Sequence, residues 1–196
     1  MEQGVKYKKG FTLVEAVLVL AVAGLIFAIV FTALPALQVS SRDTDRESDM
    51  LKLISEIKNY QTNNRGGLPG GSTFVDGSEF DACNANPGAD CNAFSSAKGT
   101  TWEGFYRDYL GLKFMDPMGE YYDLRIVECG ANTDKACTAT QLDALYSATF
   151  EGNDYQIIIA KGATCSNTKA VGSSNPRMVA AVYRLEGSGG VYCANT

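Results

Sequence analysis

Glu15 is the one charged side chain in a long apolar run from Phe11 to Val39. A carboxylate inside hydrocarbon costs roughly 3 kcal/mol or more, so it must reach water or meet a cation. Just before the run stand Lys6, Lys8 and Lys9, then the Gly10–Phe11 junction. The chemistry this arrangement offers is neutralisation of a buried charge. The 196-residue chain has no histidine, which removes the commonest general base and metal ligand. Ser72, Ser78, Ser95 and Ser96 sit in ordinary loop composition, and no glycine-rich phosphate loop is present. No catalytic constellation is legible, no cofactor is implied, and an enzyme is not expected.

The second group with chemistry is a set of six cysteines: Cys83, Cys91, Cys129, Cys137, Cys165 and Cys193. All lie in the polar carboxy-terminal part. An even count among turn-forming residues implies disulfides in an oxidising compartment. Spacing alone leaves the connectivity open. The near-neighbour set Cys83–Cys91, Cys129–Cys137 and Cys165–Cys193 is favoured, because the first two close short loops and the last ties the carboxy terminus to the sheet. Zinc is the competing use, but neither a CxxC pair nor a histidine supports it.

The elements that must position these groups begin with the apolar run. Its 29 residues span about 43 Å as a helix, against about 30 Å of hydrocarbon. The lysines before it favour a cytoplasmic leader and an external carboxy-terminal part, in agreement with the cysteines. The first ten residues hold three lysines and one glutamate, leaving 14 bases against 21 acids, a net charge of −7. Such an acidic exterior gives no support for nucleic-acid binding. The run is too long for the apolar core of an ordinary secretory signal. On hydropathy alone it reads as an uncleaved single-pass anchor.

Lys8-Lys9-Gly10-Phe11-Thr12-Leu13-Val14-Glu15 resembles the class III signal of type IV pilins and their pseudopilin relatives. The resemblance implies cleavage by a prepilin peptidase between Gly10 and Phe11, then N-methylation of Phe11. Glu15 would become the fifth mature residue, and Gly24 falls where the family commonly has a glycine. Ala16 stands where many relatives have leucine, and Pro35 comes later than the usual helix-breaking proline. In a filament, Glu15 of an incoming subunit would meet the new amine of Phe11 in its neighbour and set axial register. An acid snorkelling to the cytoplasmic interface is the plainer reading. Gly24 and Pro35 bracket a stretch expected to become extended in the filament, or to show only a proline kink.

Beyond Val39 the segment Ser40 to Asp49 is strongly polar. Met50, Leu51, Ile54, Ile57 and Tyr60 then recur at helical spacing and predict a resumed amphipathic helix to about Asn63, ended by Gly66-Gly67-Leu68-Pro69. A short helix is expected at residues 101–110, with Thr101 as N-cap and Gly111 as stop. Strands are expected at 121–128, 145–151, 155–160 and 178–185, and a further one at 191–193. With no crossover helix between them, the sheet should be antiparallel. The fold class is α+β: one long amino-terminal helix packed on an antiparallel sheet. The organisation is a leader at 1–10, an assembly helix at 11–39, an amphipathic helix at 40–63 and a globular head at 64–196.

Asp116-Pro117-Met118-Gly119-Glu120-Tyr121-Tyr122 also looks like a turn found in major pseudopilins, though less specifically. Some relatives bind calcium nearby, but Asp116, Glu120, Asp123 and Asp134 lack EF-hand spacing, so no metal is assigned. By analogy, residues 64–115 and 165–193 would face outward. Trp102, Tyr106 and Tyr109 read as core aromatics more readily than as adhesive ones. The resemblance implies a major pilin that polymerises into a surface filament for adhesion, motility or DNA uptake. Its implied partners are further copies of itself, the prepilin peptidase, the membrane before assembly, and an inner-membrane platform with a cytoplasmic ATPase. A pseudopilin of a secretion or competence system is the alternative within the family. An uncleaved, membrane-anchored surface binding protein is the alternative outside it.

Overall fold

A computed structural model describes residues 10–71, 73–80, 99–111, 114–129, 155–187 and 189–196. Two compact units meet at Ser40–Ser41. One helix, α1, runs Leu13–Asn63 and belongs to both. The helix runs unbroken through the polar segment at 40–49, where Arg42, Asp43 and Arg46 find partners in the head (below). The chain also remains helical through Gly24 and Pro35. Pro35 removes one donor, that for the Phe31 carbonyl, without interrupting the helix.

In the first unit the large apolar side chains of α1 from Leu13 to Leu37 are all exposed, by between 42% (Val30) and 80% (Leu13), and Val39 is half-buried. In the second, Met50, Leu53, Ile54, Ile57 and Tyr60 are buried. Leu51, expected in that stripe, is 56% exposed, and Leu53 takes its place. Residues 50, 53, 54, 57 and 60 follow one face of a 3.6-residue helix, whereas 51 lies off it. α1 ends with Arg65 in the left-handed region (φ 55°) and a bond from the Gly66 N–H to the Gln61 carbonyl, 2.7 Å. That is a Schellman cap with an arginine where glycine is usual.

The helix stripe packs on a five-stranded sheet. Its strands are β1 (Phe74–Val75), β2 (Asp123–Glu128), β3 (Gln156–Lys161), β6 (Val179–Arg184) and β7 (Val191–Asn195), in the order β1-β2-β3-β6-β7. The sheet is mostly antiparallel. β2 and β3 pair in parallel, Leu124 opposite Ile157 and Ile126 opposite Ile159. The expected strand at 145–151 lies outside the described residues. A second sheet is a hairpin, β4 (Ala163–Ser166) and β5 (Lys169–Gly172), which the sequence reading missed. Its turn uses Asn167 at φ 56°. Gly162 (φ +71°) leads into it, where an added Cβ would collide with the Cys129 carbonyl.

β3 and β6 are therefore covered on both faces. Ile157, Ile159, Ala181 and Tyr183 join the cluster under α1, while Ile158, Ala160, Ala180 and Val182 join one with Ala163 and Ala170 of the hairpin. The short helix α2 (Trp102–Phe105) is capped by Thr101, whose hydroxyl accepts from the Gly104 N–H at 3.2 Å. A π-turn, Tyr106–Leu110, continues it to Gly111 (φ 63°). Trp102, Phe105, Tyr106, Leu110 and Phe114 are buried, so this part of the presumed outer region is core. Tyr106 and Trp102 are thus not displayed for adhesion.

Candidate processing and assembly site

At the start of α1, Thr12 is the N-cap and Glu15 the third helical residue. The Thr12 backbone N–H and its hydroxyl both donate to Glu15 Oε2 at 2.9 Å, and the Glu15 N–H donates to Thr12 Oγ1 at 3.3 Å. This is a capping box, which satisfies donors that the first helical turn leaves free. The helix dipole further favours an acid here. The signal that marks Thr12 in the sequence is its T-x-x-E spacing to Glu15, itself the signature of the box. The hydrogen bonds occupy one carboxylate oxygen; no cation accompanies them among the described residues. Phe11, one residue upstream, is 90% exposed.

The segment around it is long and apolar enough to cross a membrane, with a mean hydropathy of 2.9 over its most apolar window. Among the described residues of the first unit nothing covers the apolar surface from Leu13 to Leu37.

Residues 5–31 match the prokaryotic N-terminal methylation motif. The chain carries the class III signal of the type IV pilin and pseudopilin family. That signal implies processing by a prepilin peptidase, membrane anchoring beforehand and assembly afterwards. The family is one of structural, non-enzymatic proteins. No curated protein and no solved structure matches the chain.

The head holds a second charged constellation, which the sequence reading did not assemble. Arg46 of α1 is 3% exposed. Its Nε donates to Asp116 Oδ2 at 2.7 Å, and Nη1 reaches Asp43 at 3.4 Å and Glu186 at 3.2 Å. Arg42 binds Glu186 through two bonds, 2.9 and 2.6 Å. Asp43 accepts the N–H groups of Glu186 and Gly187. Asp116 also accepts from the Tyr183 hydroxyl (3.3 Å) and from the Met118 N–H (2.8 Å), which closes the Asp-Pro-x-Gly turn together with the Gly119 N–H to Asp116 carbonyl bond. Burial works against the Arg46 charge, but Asp116, Tyr183 and Glu186 together hold its pKa above the ordinary value. Hydrogen bonding to Arg42 lowers that of Glu186. The turn at 116–119 is thus an anchor for α1, and Asp116 is bound to protein groups. No cluster of metal-ligating side chains occurs among the described residues.

Beside this anchor, Tyr122 donates to Asp49 at 3.1 Å. Burial raises the Asp49 pKa, offset by that bond and by Lys52. At the far end of the sheet, Cys165 and Cys193 form a disulfide with their Cα atoms 5.8 Å apart, stitching β4 to β7. Cys129 is disulfide-bonded as well. Cys83, Cys91 and Cys137 lie outside the described residues, as does Asp134.

Proposed function

We propose that this chain is the structural subunit of a type IV pilus. A prepilin peptidase cuts between Gly10 and Phe11 and methylates the new terminus at Phe11. The subunit waits in the cytoplasmic membrane as a single-pass protein with its head outside. A platform driven by a cytoplasmic ATPase then stacks it with further copies into a surface filament that serves adhesion, motility or DNA uptake. The observation that carries this reading is Glu15: a lone acid in an exposed apolar helix, five residues beyond a class III cleavage site. The positive amine of Phe11 on an adjoining copy is a cation for it, and burying the two together neutralises both. Gly24 and Pro35 are the positions at which the helix would extend on leaving lipid.

A pseudopilin of a secretion or competence system is the second reading. It is favoured by the Asp116-Pro117-Met118-Gly119 turn, whose Asp116 is buried against Arg46. Mass spectrometry of the mature amino terminus tests the common part: N-methyl-Phe11 is expected, and an intact Met1 would establish a plain membrane anchor. Electron microscopy of sheared surface material separates the two readings, long filaments meaning pilus and their absence in a processed protein meaning pseudopilus.

A further inference from the structure

In the head, the face of α1 turned away from the sheet is bare. It carries Asp45, Ser48, Leu51, Ser55, Lys58 and Thr62, all exposed, at spacings of three and four residues. Leu51 is unusual there, a large apolar side chain at 56% exposure flanked by small hydroxyl residues. Asp45 and Lys58 form no ion pair among the described residues. They are 13 positions apart in sequence, about 20 Å along the axis. At about 100° per residue they fall on opposite flanks of the bare stripe.

Opposite flanks are what two parallel helices bring together when they face each other, as the e and g positions of a coiled coil do. Subunits drawn from one membrane enter a filament with their helices parallel. We propose that this face is a helix–helix contact between neighbouring copies, staggered along the axis so that Asp45 of one copy pairs with Lys58 of the next. The small side chains let the backbones approach, and Leu51 loses its exposure to water. The contact joins two different patches of the same chain, so it repeats without closing, as a filament requires. It rests on the pilus reading and adds a register set by the heads to the one set by Glu15.

Charge reversal tests it in the full-length protein in its own host. Asp45→Lys and Lys58→Asp each place like charges at every contact. Sheared filament mass should fall about fivefold or more, the effect of about 1 kcal/mol per contact, with the melting temperature of the head unchanged. The double variant Asp45→Lys/Lys58→Asp restores opposite charges and should return the yield to within about twofold of wild type. Normal yield from either single variant, or a double variant no better than the singles, would overturn the pairing while wild-type filaments keep the pilus reading intact. A wild type that is processed yet never forms filaments overturns both.

Discussion

The two halves of α1 each carry a charge that an apolar setting would reject, and they treat it differently. Arg46, in the head, is neutralised inside its own chain by Asp116, Asp43 and Glu186. Glu15, in the apolar half, receives hydrogen bonds from Thr12 but no cation among the described residues. The apolar surfaces repeat the contrast. The inner face of residues 50–60 is buried on the sheet, whereas residues 13–37 expose theirs. One half of the helix completes a domain; the other, among the described residues, finds neither a positive charge for its acid nor cover for its apolar surface, and under the proposed function another copy would supply both.

The largest effect should come from breaking this contrast at Glu15. Glu15→Ala removes cap and charge, and filament assembly should fall at least tenfold, as judged by sheared filament mass, with head stability unchanged. Glu15→Gln keeps the capping acceptor but not the charge, since Gln serves in capping boxes. If charge is the requirement, it should assemble as poorly as Glu15→Ala. Assembly at the wild-type rate would leave the box as the only role of this side chain.

In the head the same operation should cost folding rather than assembly. Arg46→Ala leaves Asp116 buried without its cation, and the expected loss is about 3–5 kcal/mol of unfolding free energy. Replacing both partners, Arg46→Met with Asp116→Leu, should cost less than either single change, because no buried charge is orphaned. Denaturant unfolding of the full chain in detergent measures this, and a double variant worse than both singles would show the ion pair to be a net stabiliser. One step smaller is the contrast between neighbours on α1. Leu53→Ala empties a fully buried site and should cost about 2–5 kcal/mol. Leu51→Ala, on the bare face, should change head stability by no more than about 0.5 kcal/mol.

Local signals in the sequence carried far, and long-range ones did not. The end of α1 at Asn63 was legible in Gly66-Gly67-Leu68-Pro69, and the cap at Thr101 and stop at Gly111 in their residue types. Strands β2, β3, β6 and β7 lay within one or two residues of their apolar runs, because β-branched clusters mark buried strands. The hairpin of Ala163–Ser166 and Lys169–Gly172 was missed because it is small and polar, with no alternation to read. The parallel pairing of β2 with β3 is a property of tertiary contact, not of either strand. At the site, the lone acid and the Gly10–Phe11 junction stood out from composition. The Arg46 anchor did not, since Asp116 lies 70 residues away and nothing in either segment names the other. Leu51 and Leu53 differ only by helical phase, which a two-residue error reverses.

The smallest expected effect concerns Asp49, next to the anchor but not part of its ion pairs. Its carboxyl faces Tyr122 and Lys52, which favour the charge, and Asp116 and Asp45, which oppose it. Burial dominates, so the folded-state pKa lies above the unfolded one. A raised acid binds its proton more tightly in the folded state. That contribution is fully present below the unfolded pKa and is lost as pH rises through the folded one. At neutral pH the ionised group is therefore a burden on the fold. Asp49→Asn keeps an acceptor for the Tyr122 hydroxyl and removes the charge. The variant should melt above wild type at pH 7, and the gap should narrow as pH falls through the carboxylate range. A gap that widens in acid would mean that Asp49, like Arg46, already has its charge matched within the chain, and that Lys52 outweighs the burial.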